Sequence, residues 1–131
     1  MAGLYIHIPF CKQKCSYCDF ISYSNKGNLV EQYIKELKQE IKSKAKELNE
    51  YEITTIYIGG GTPSYIECNH ITKILEEIKH NYNINKNVEI TIEVNPGTAT
   101  KEKLENYVNA GINRISIGLQ TCNDNLLKTI G

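Results

Sequence analysis

Three of the five cysteines, Cys11, Cys15 and Cys18, stand close together in Phe10-Cys11-Lys12-Gln13-Lys14-Cys15-Ser16-Tyr17-Cys18-Asp19-Phe20. Thiolates spaced as Cys-x-x-x-Cys-x-x-Cys can each ligate one iron of a 4Fe-4S cubane, which leaves the remaining iron open. An open iron can chelate a small molecule through an amine and a carboxylate, and a reduced cluster can then deliver an electron to it. S-adenosyl-L-methionine (SAM) is such a molecule: cleavage of its sulfonium gives methionine and a 5′-deoxyadenosyl radical able to abstract a hydrogen atom. The competing reading is a zinc site on the same cysteines with His7 or another ligand. Zinc sites more often pair two Cys-x-x-Cys-like knuckles, and no second knuckle is present. Cys68 and Cys122 are isolated and read as ordinary buried thiols. An odd number of cysteines, three of them clustered, suits a reducing compartment without disulfides.

The second candidate is Ile58-Gly59-Gly60-Gly61-Thr62-Pro63-Ser64. Successive glycines let backbone N–H and C=O groups approach a ligand closely, and Thr62 adds a hydroxyl. On its own such a run is a turn. Next to the cysteine loop it becomes a cradle for the methionine amino and carboxylate groups of SAM. The Lys-Ser/Thr ending of a phosphate-binding P-loop is missing, which disfavours a nucleotide triphosphatase.

Apolar alternation marks four strands that would carry these loops: Leu4, Ile6, Ile8; Ile56, Ile58; Val88, Ile90, Ile92, Val94; and Ile115, Ile117, Leu119. Helices separate them. The first is expected from about Leu29 to Leu48 on Tyr33, Leu37, Ile41, Ala45 and Leu48, capped by Asn28 with Glu31 at the capping-box position. The second carries Ile71, Ile74, Leu75 and Ile78 behind a cap at Asn69. The third runs from Lys101 to Asn109 and stops before Gly111, and a fourth begins after the last strand.

This alternation predicts right-handed crossovers and a parallel sheet, either doubly wound or part of a βα barrel. Parity favours the barrel. If the apolar series faces the helices, the residues between them face the interior: Tyr5, His7, Tyr57, Glu89, Glu93, Ser116, Gly118 and Gln120. Glu93 and Gln120 fall at carboxyl ends of strands, where such folds bind ligands. An inward Glu is either a ligand contact or a core carboxylate satisfied by a neighbour. No barrel closes with four strands, so the sequence is expected to be a fragment of a longer protein, or to be completed by a partner.

Composition disfavours other classes. With 131 residues, 40% of them hydrophobic, the chain can build a core. Fifteen basic and fifteen acidic residues cancel, which disfavours a nucleic-acid partner. No apolar run approaches the ~20 residues of a membrane span, so an integral membrane protein is not expected, and Met1 to Phe10 lack a signal-peptide pattern. The sequence reads as cytoplasmic. Lys35, Lys38, Lys42 and Lys44 interleave with Glu31, Glu36 and Glu40 as a solvated helix face needing no partner.

Five segments together resemble the radical SAM superfamily and, within it, the oxygen-independent coproporphyrinogen III oxidase-like family. They are Tyr5-Ile6-His7-Ile8-Pro9-Phe10-Cys11, the three-cysteine motif, Gly59 to Ser64, Ile92-Glu93-Val94-Asn95-Pro96, and Ser116-Ile117-Gly118-Leu119-Gln120-Thr121. The resemblance implies an α/β fold: the first four strands of an incomplete (βα)6, TIM-like barrel, truncated, with residues 1–131 a partial core domain lacking the rest of the barrel and a C-terminal domain. It implies that Tyr5 and Tyr17 lie against cluster and SAM, that Gly60, Gly61 and Thr62 hold the methionine part, and that Glu93 and Gln120 contact its polar groups. It implies no catalytic residue beyond the cluster, and an electron donor such as flavodoxin or ferredoxin.

The residue two after the third cysteine separates subgroups. True oxidases resemble Cys-x-x-x-Cys-x-x-Cys-x-Cys, whereas this chain has Phe20 at that place. Cys18-Asp19-Phe20 resembles instead the heme-chaperone (HemW) branch, whose members bind cluster and SAM and deliver heme to apoproteins such as respiratory enzymes. The short stretch before Tyr5 points the same way. The resemblance therefore implies a heme chaperone, with heme as a further ligand. The alternative is the oxidase, converting coproporphyrinogen III to protoporphyrinogen IX by oxidative decarboxylation, and a more distant one is a zinc-binding module. No heme ligand is assigned: His7 reads as core, and His70 and His80 as the exposed face of the second helix.

Overall fold

In the computed structural model, which describes residues 1–130, isoleucine-rich strands supply one wall of the core and amphipathic helices the other. Gly131, the last residue of the expected core domain, lies outside the described residues. The elements are β1 (Ala2–Ile8), the two-residue β2 (Phe10–Cys11) and β3 (Tyr23–Ser24), α1 (Val30–Ala45), β4 (Glu52–Gly60), α2 (Cys68–Asn81), β5 (Asn83–Val94), α3 (Lys101–Ala110), β6 (Arg114–Ile117) and α4 (Asp124–Ile130).

The main sheet has the order β1-β4-β5-β6 and every pair is parallel. Each strand is added to the same edge as the chain proceeds. A doubly wound sheet would reverse direction at a switch point; steady addition is the winding of a barrel. Helix α1 packs on α2, and α2 on α3. The faces follow the expected parity: Ile6, Ile8, Ile56, Ile58, Ile90, Ile92 and Val94 are buried with Ile34, Ile41, Ile71, Ile74, Leu75 and Ile78 of the helices. Ile53, at the start of β4, is fully buried and extends that strand beyond the alternation that announced it.

The opposite face is more open at its first strand, although Thr91 in the middle of β5 is buried. Tyr5 is 59% exposed and stacks on Tyr57, ring centroids 6.1 Å apart. His7 is half-buried.

Helix ends depart from expectation. A 3-10 turn at Gly27–Leu29 precedes α1, so Leu29 stands at the cap without a side-chain bond and Asn28 does not cap. At the other end Glu47 N–H donates to Lys44 O and Leu48 N–H to Ala45 O; these tighter bonds end the α-helix at Ala45 rather than Leu48. Helix α2 begins at Cys68, with Glu67 rather than Asn69 at its cap position. Thr100 caps α3 by accepting from Lys103 N–H at 3.2 Å, and α3 closes on a left-handed Gly111.

Four side chains also differ from expectation. His70 is buried, its Nε2 3.5 Å from Glu31 Oε1, and does not lie on an exposed face; His80 is exposed. His70, Ile74 and Ile78 share one stripe at four-residue spacing, which turns His70 inward. Cys122 is exposed, in the segment between β6 and α4. Lys38 and Lys42 are not merely solvated: they reach Glu77 of α2 at 3.2 and 3.5 Å.

Glu77 gives a pH prediction. Burial acts to raise its pKa, but hydrogen bonds from Lys38 and Asn81 and the Lys42 charge hold it below the ordinary carboxylate range. A depressed carboxylate stabilises the fold above its unfolded pKa, and that stabilisation is lost as pH falls through the folded value. Glu77→Gln is expected to cost less than ~1 kcal/mol at pH 7. The difference from the parent should vanish on acidification, as read by denaturant unfolding at successive pH values.

Candidate functional site

The site forms where the carboxyl ends of β1, β4, β5 and β6 meet the cysteine segment. Cys11 is buried because it belongs to β2, which pairs with β3 from the far side of the loop. Cys15 and Cys18 are partly exposed and joined by a turn, Cys18 N–H donating to Cys15 O at 3.1 Å. No two of the five cysteines form a disulfide. Lys14 Nζ donates to Phe20 O at 2.9 Å, and the amide and hydroxyl of Ser16 both donate to Ile130 O at 3.2 Å.

His7 braces the end of the loop. Its Nε2 lies 2.8 Å from Ile21 O, and a carbonyl can only accept, so Nε2 carries the proton. In the neutral ring Nδ1 then accepts from Tyr5 Oη at 3.1 Å. The Tyr17 hydroxyl bonds Cys15; burial, this bond and the charges of Cys15 and Cys18 push the phenol pKa up.

The glycine loop is bound into the same corner. Gly61 N–H donates to Ile8 O at 2.8 Å and Thr62 N–H to Phe10 O at 2.9 Å. Gly60 N–H donates to Glu93 Oε2 at 3.1 Å, and Tyr57 Oη to Glu93 Oε1 at 2.8 Å. Burial first, then the Glu93 bond and charge, raise the Tyr57 pKa. Glu93 is thus satisfied by neighbours and still faces the cavity, so the two readings of an inward carboxylate coexist. The loop amides expected to approach a ligand are used inside the protein. What the loop can offer is carbonyl oxygens and the Thr62 hydroxyl, acceptors suited to an ammonium group.

Two glycines are required by contact. Gly60 adopts φ +118°, and a Cβ there would meet the His7 ring at 2.7 Å; a Cβ on Gly61 would meet Phe10 O at 2.9 Å and Cys11 Sγ and Ile8 O at 3.0 Å. No side chain fits between the glycine loop and the first cysteine. Thr62 Oγ1 lies 3.5 Å from Cys11 Sγ.

A cavity of about 490 Å³ joins these parts. Its walls include Cys11, Cys15, Tyr17, Cys18, Gly60, Gly61, Thr62, Glu93 and Gln120. Of the residues expected to hold the cluster and SAM, Tyr5 stays outside the walls, as do His7, Tyr57 and Glu89 of the inward set; through Tyr57, Tyr5 stands one contact behind Glu93. Gln120 does not sit at a strand end. Strand β6 stops at Ile117, Leu119 N–H turns back to Ile117 O, and Gln120 takes φ +62° in the turn that brings it to the cavity. Leu119 consequently is 56% exposed, and so are Ile115 and Ile117 at 41% and 52%, which α4 does not cover.

Among the described residues no three His, Cys, Asp or Glu side chains converge on a point that could hold a single metal ion. The three thiols border the cavity beside the glycine loop, a soft-donor set of the kind that ligates iron in clusters. Sequence reasoning quoted Ser64 and Asn95 within motifs but gave them no role, and it missed Thr98; the three lock the glycine loop to the turn after β5, and Asn95 and Thr98 also line the cavity. The signal for this lock was the turn former Asn95-Pro96-Gly97.

The model of the Radical SAM superfamily matches residues 5–131, a family whose members in general use a 4Fe-4S cluster and SAM. "Heme chaperone HemW" of Buchnera aphidicola subsp. Schizaphis graminum is 49% identical over 129 residues, 98% of this chain and 34% of that protein. The protein of the same name from Escherichia coli is 40% identical over 130 residues, again 98% and 34%. A solved structure of coproporphyrinogen III oxidase (HemN) from Escherichia coli, described as a radical SAM enzyme, superposes with a TM-score of 0.92 at 30% identity, covering 98% of this chain and 30% of that one. The chain spans about a third of the length of the curated relatives it matches. Match, winding and cysteine-lined cavity agree that the chain belongs to the radical SAM superfamily.

Proposed function

We propose that this chain is the partial core domain, residues 1–131, of a heme chaperone built on a radical SAM scaffold, which binds heme and hands it to apoproteins. The observation that carries this reading is Phe20. Its ring is 70% exposed and lines the cavity, at the place where the oxidases resemble a fourth cysteine. An aromatic there offers apolar contact to a macrocycle and no thiol. The names of the two chaperone relatives, at 49% and 40% identity against 30% for the oxidase, support the same choice.

In this reading Cys11, Cys15 and Cys18 hold the 4Fe-4S cluster. When bound, the cluster supplies an electron to the sulfonium of SAM. Gly60, Gly61 and Thr62 receive the ammonium end of SAM, while Glu93 and Gln120 meet its other polar groups. Tyr17 closes the cysteine side, and Tyr5 supports the Tyr57–Glu93 pair from behind. Heme or porphyrinogen, an electron donor such as flavodoxin or ferredoxin, and heme-accepting apoproteins are the partners the reading requires, in the cytoplasm. No helix among the described residues is long and apolar enough to cross a membrane.

The test uses the full-length protein, reconstituted anaerobically. Heme titration should give a saturable absorbance change, and the loaded protein should pass heme to an apoprotein while coproporphyrinogen III under reduction stays unconverted. Formation of protoporphyrinogen IX would overturn the chaperone reading in favour of the oxidase, whose fold this chain shares at a TM-score of 0.92.

A further inference from the structure

Lys103 stands where a helix least wants a cation. It is the third residue of α3, its amide bonded to the Thr100 cap, in the turn where the helix dipole repels positive charge. The side chain leaves that turn. Its Nζ donates to Ser64 O at 2.7 Å and to Ile66 O at 3.1 Å, thirty-nine and thirty-seven residues away in sequence.

These carbonyls lie at the end of the 3-10 turn Pro63–Tyr65, which starts at Thr62, where the glycine loop ends. The last carbonyls of a helical turn lack partners and present the negative end of its dipole. The ammonium therefore leaves the unfavourable end of α3 for two carbonyls that close a 3-10 turn. A second lock holds the same turn: fully buried Ser64 accepts from Asn95 N–H at 3.0 Å through Oγ, which also bonds Thr98 Oγ1. Lys103 thus ties α3 to the turn after β4, and Ser64 ties that turn to the one after β5.

We infer that Lys103 is a positioning residue for SAM, holding the Gly60–Thr62 loop at its working distance from the cysteine loop. The inference rests on the reading that this loop receives SAM. Lys103 is half-buried, and among the described residues its hydrogen bonds go to two carbonyls, so its removal leaves no carboxylate without its ion pair and costs the acceptors Ser64 O and Ile66 O their donor. A neutral replacement should fold and assemble its cluster.

The experiment compares the reconstituted full-length protein with Lys103→Met and Lys103→Arg. SAM affinity is read by equilibrium dialysis, iron content by analysis, and amide exchange of residues 60–66 on the cluster-free proteins. Lys103→Met is expected to weaken SAM about tenfold, the scale of losing a supporting contact behind a binding residue, with iron content unchanged and faster exchange in the loop. Arginine keeps the donors and should restore most of both. Lys103→Gln, which keeps one donor group, serves if the methionine variant does not fold and should fall between.

SAM binding by the methionine and glutamine variants as tight as the parent's would overturn the inference and leave the site reading standing. Equal loss in the methionine and arginine variants, together with a lowered melting temperature, would reduce Lys103 to packing and overturn it too. Absence of SAM binding by the unmodified protein would remove the reading on which the inference rests, and the inference with it.

Discussion

Alanine at Cys11, Cys15 or Cys18 should abolish stable cluster assembly: iron and acid-labile sulfide in the anaerobically reconstituted full-length protein should fall from about four each per chain to under about one. Three ligands are already the fewest that hold a cubane with one iron open, so no protein ligand is left to substitute. Cys11 should be the least forgiving, since it is buried on β2 and wedged against Gly61, with the Thr62 hydroxyl 3.5 Å away. Cys15 and Cys18 sit in one turn and line the cavity from its more exposed side. Cys68→Ala and Cys122→Ala should retain the full complement, because neither residue contributes to the cavity walls. A Cys15→Ala protein with all its iron would sink the assignment. Zinc without iron or sulfide in the parent would return the site to a zinc module.

How much of this was legible depended on the range of the interaction. Period-two alternation marked the strands because one face of a parallel sheet lies on helices, and that face is buried almost as written from Ile6 to Val94. Parity brought Tyr57, Glu93 and Ser116 to the other face, and motif spacing brought the three cysteines and the glycine run to one corner. Boundaries were harder. Asn28 and Asn69 are good cap formers, yet a 3-10 turn before α1 and an earlier start of α2 passed the cap positions to Leu29 and Glu67. Ile115, Ile117 and Leu119 continue a perfect alternation, but the ladder to β5 ends at Ile117 and the chain turns. The inward His70 could have been found from its four-residue spacing to Ile74 and Ile78. The Lys103 bridge could not, because a bond across thirty-nine residues leaves no trace in local periodicity.

Gly61→Ala is expected to damage both site and fold. A methyl at Gly61 would lie 2.9 Å from Phe10 O and 3.0 Å from Cys11 Sγ and Ile8 O. Neither carbonyl can swing away as a long side chain would: Ile8 O accepts from Gly61 N–H and Phe10 O from Thr62 N–H, so relief requires opening the contact between the ends of β1 and β4. Overpacking of this kind costs about 1–3 kcal/mol, a fall in melting temperature of roughly 1–4 °C for a chain of the relatives' size. Displacing Cys11 by even a fraction of an ångström moves one of three ligands, so cluster content should drop well below that of the parent. Gly111→Ala, which also has positive φ but lies at the end of α3 away from the cavity, separates the two effects. It should lower the melting temperature and leave iron content unchanged. If Gly61→Ala kept both its cluster and its SAM affinity, the glycine loop would be a turn and nothing more, and the cradle role would have to pass to another wall of the cavity.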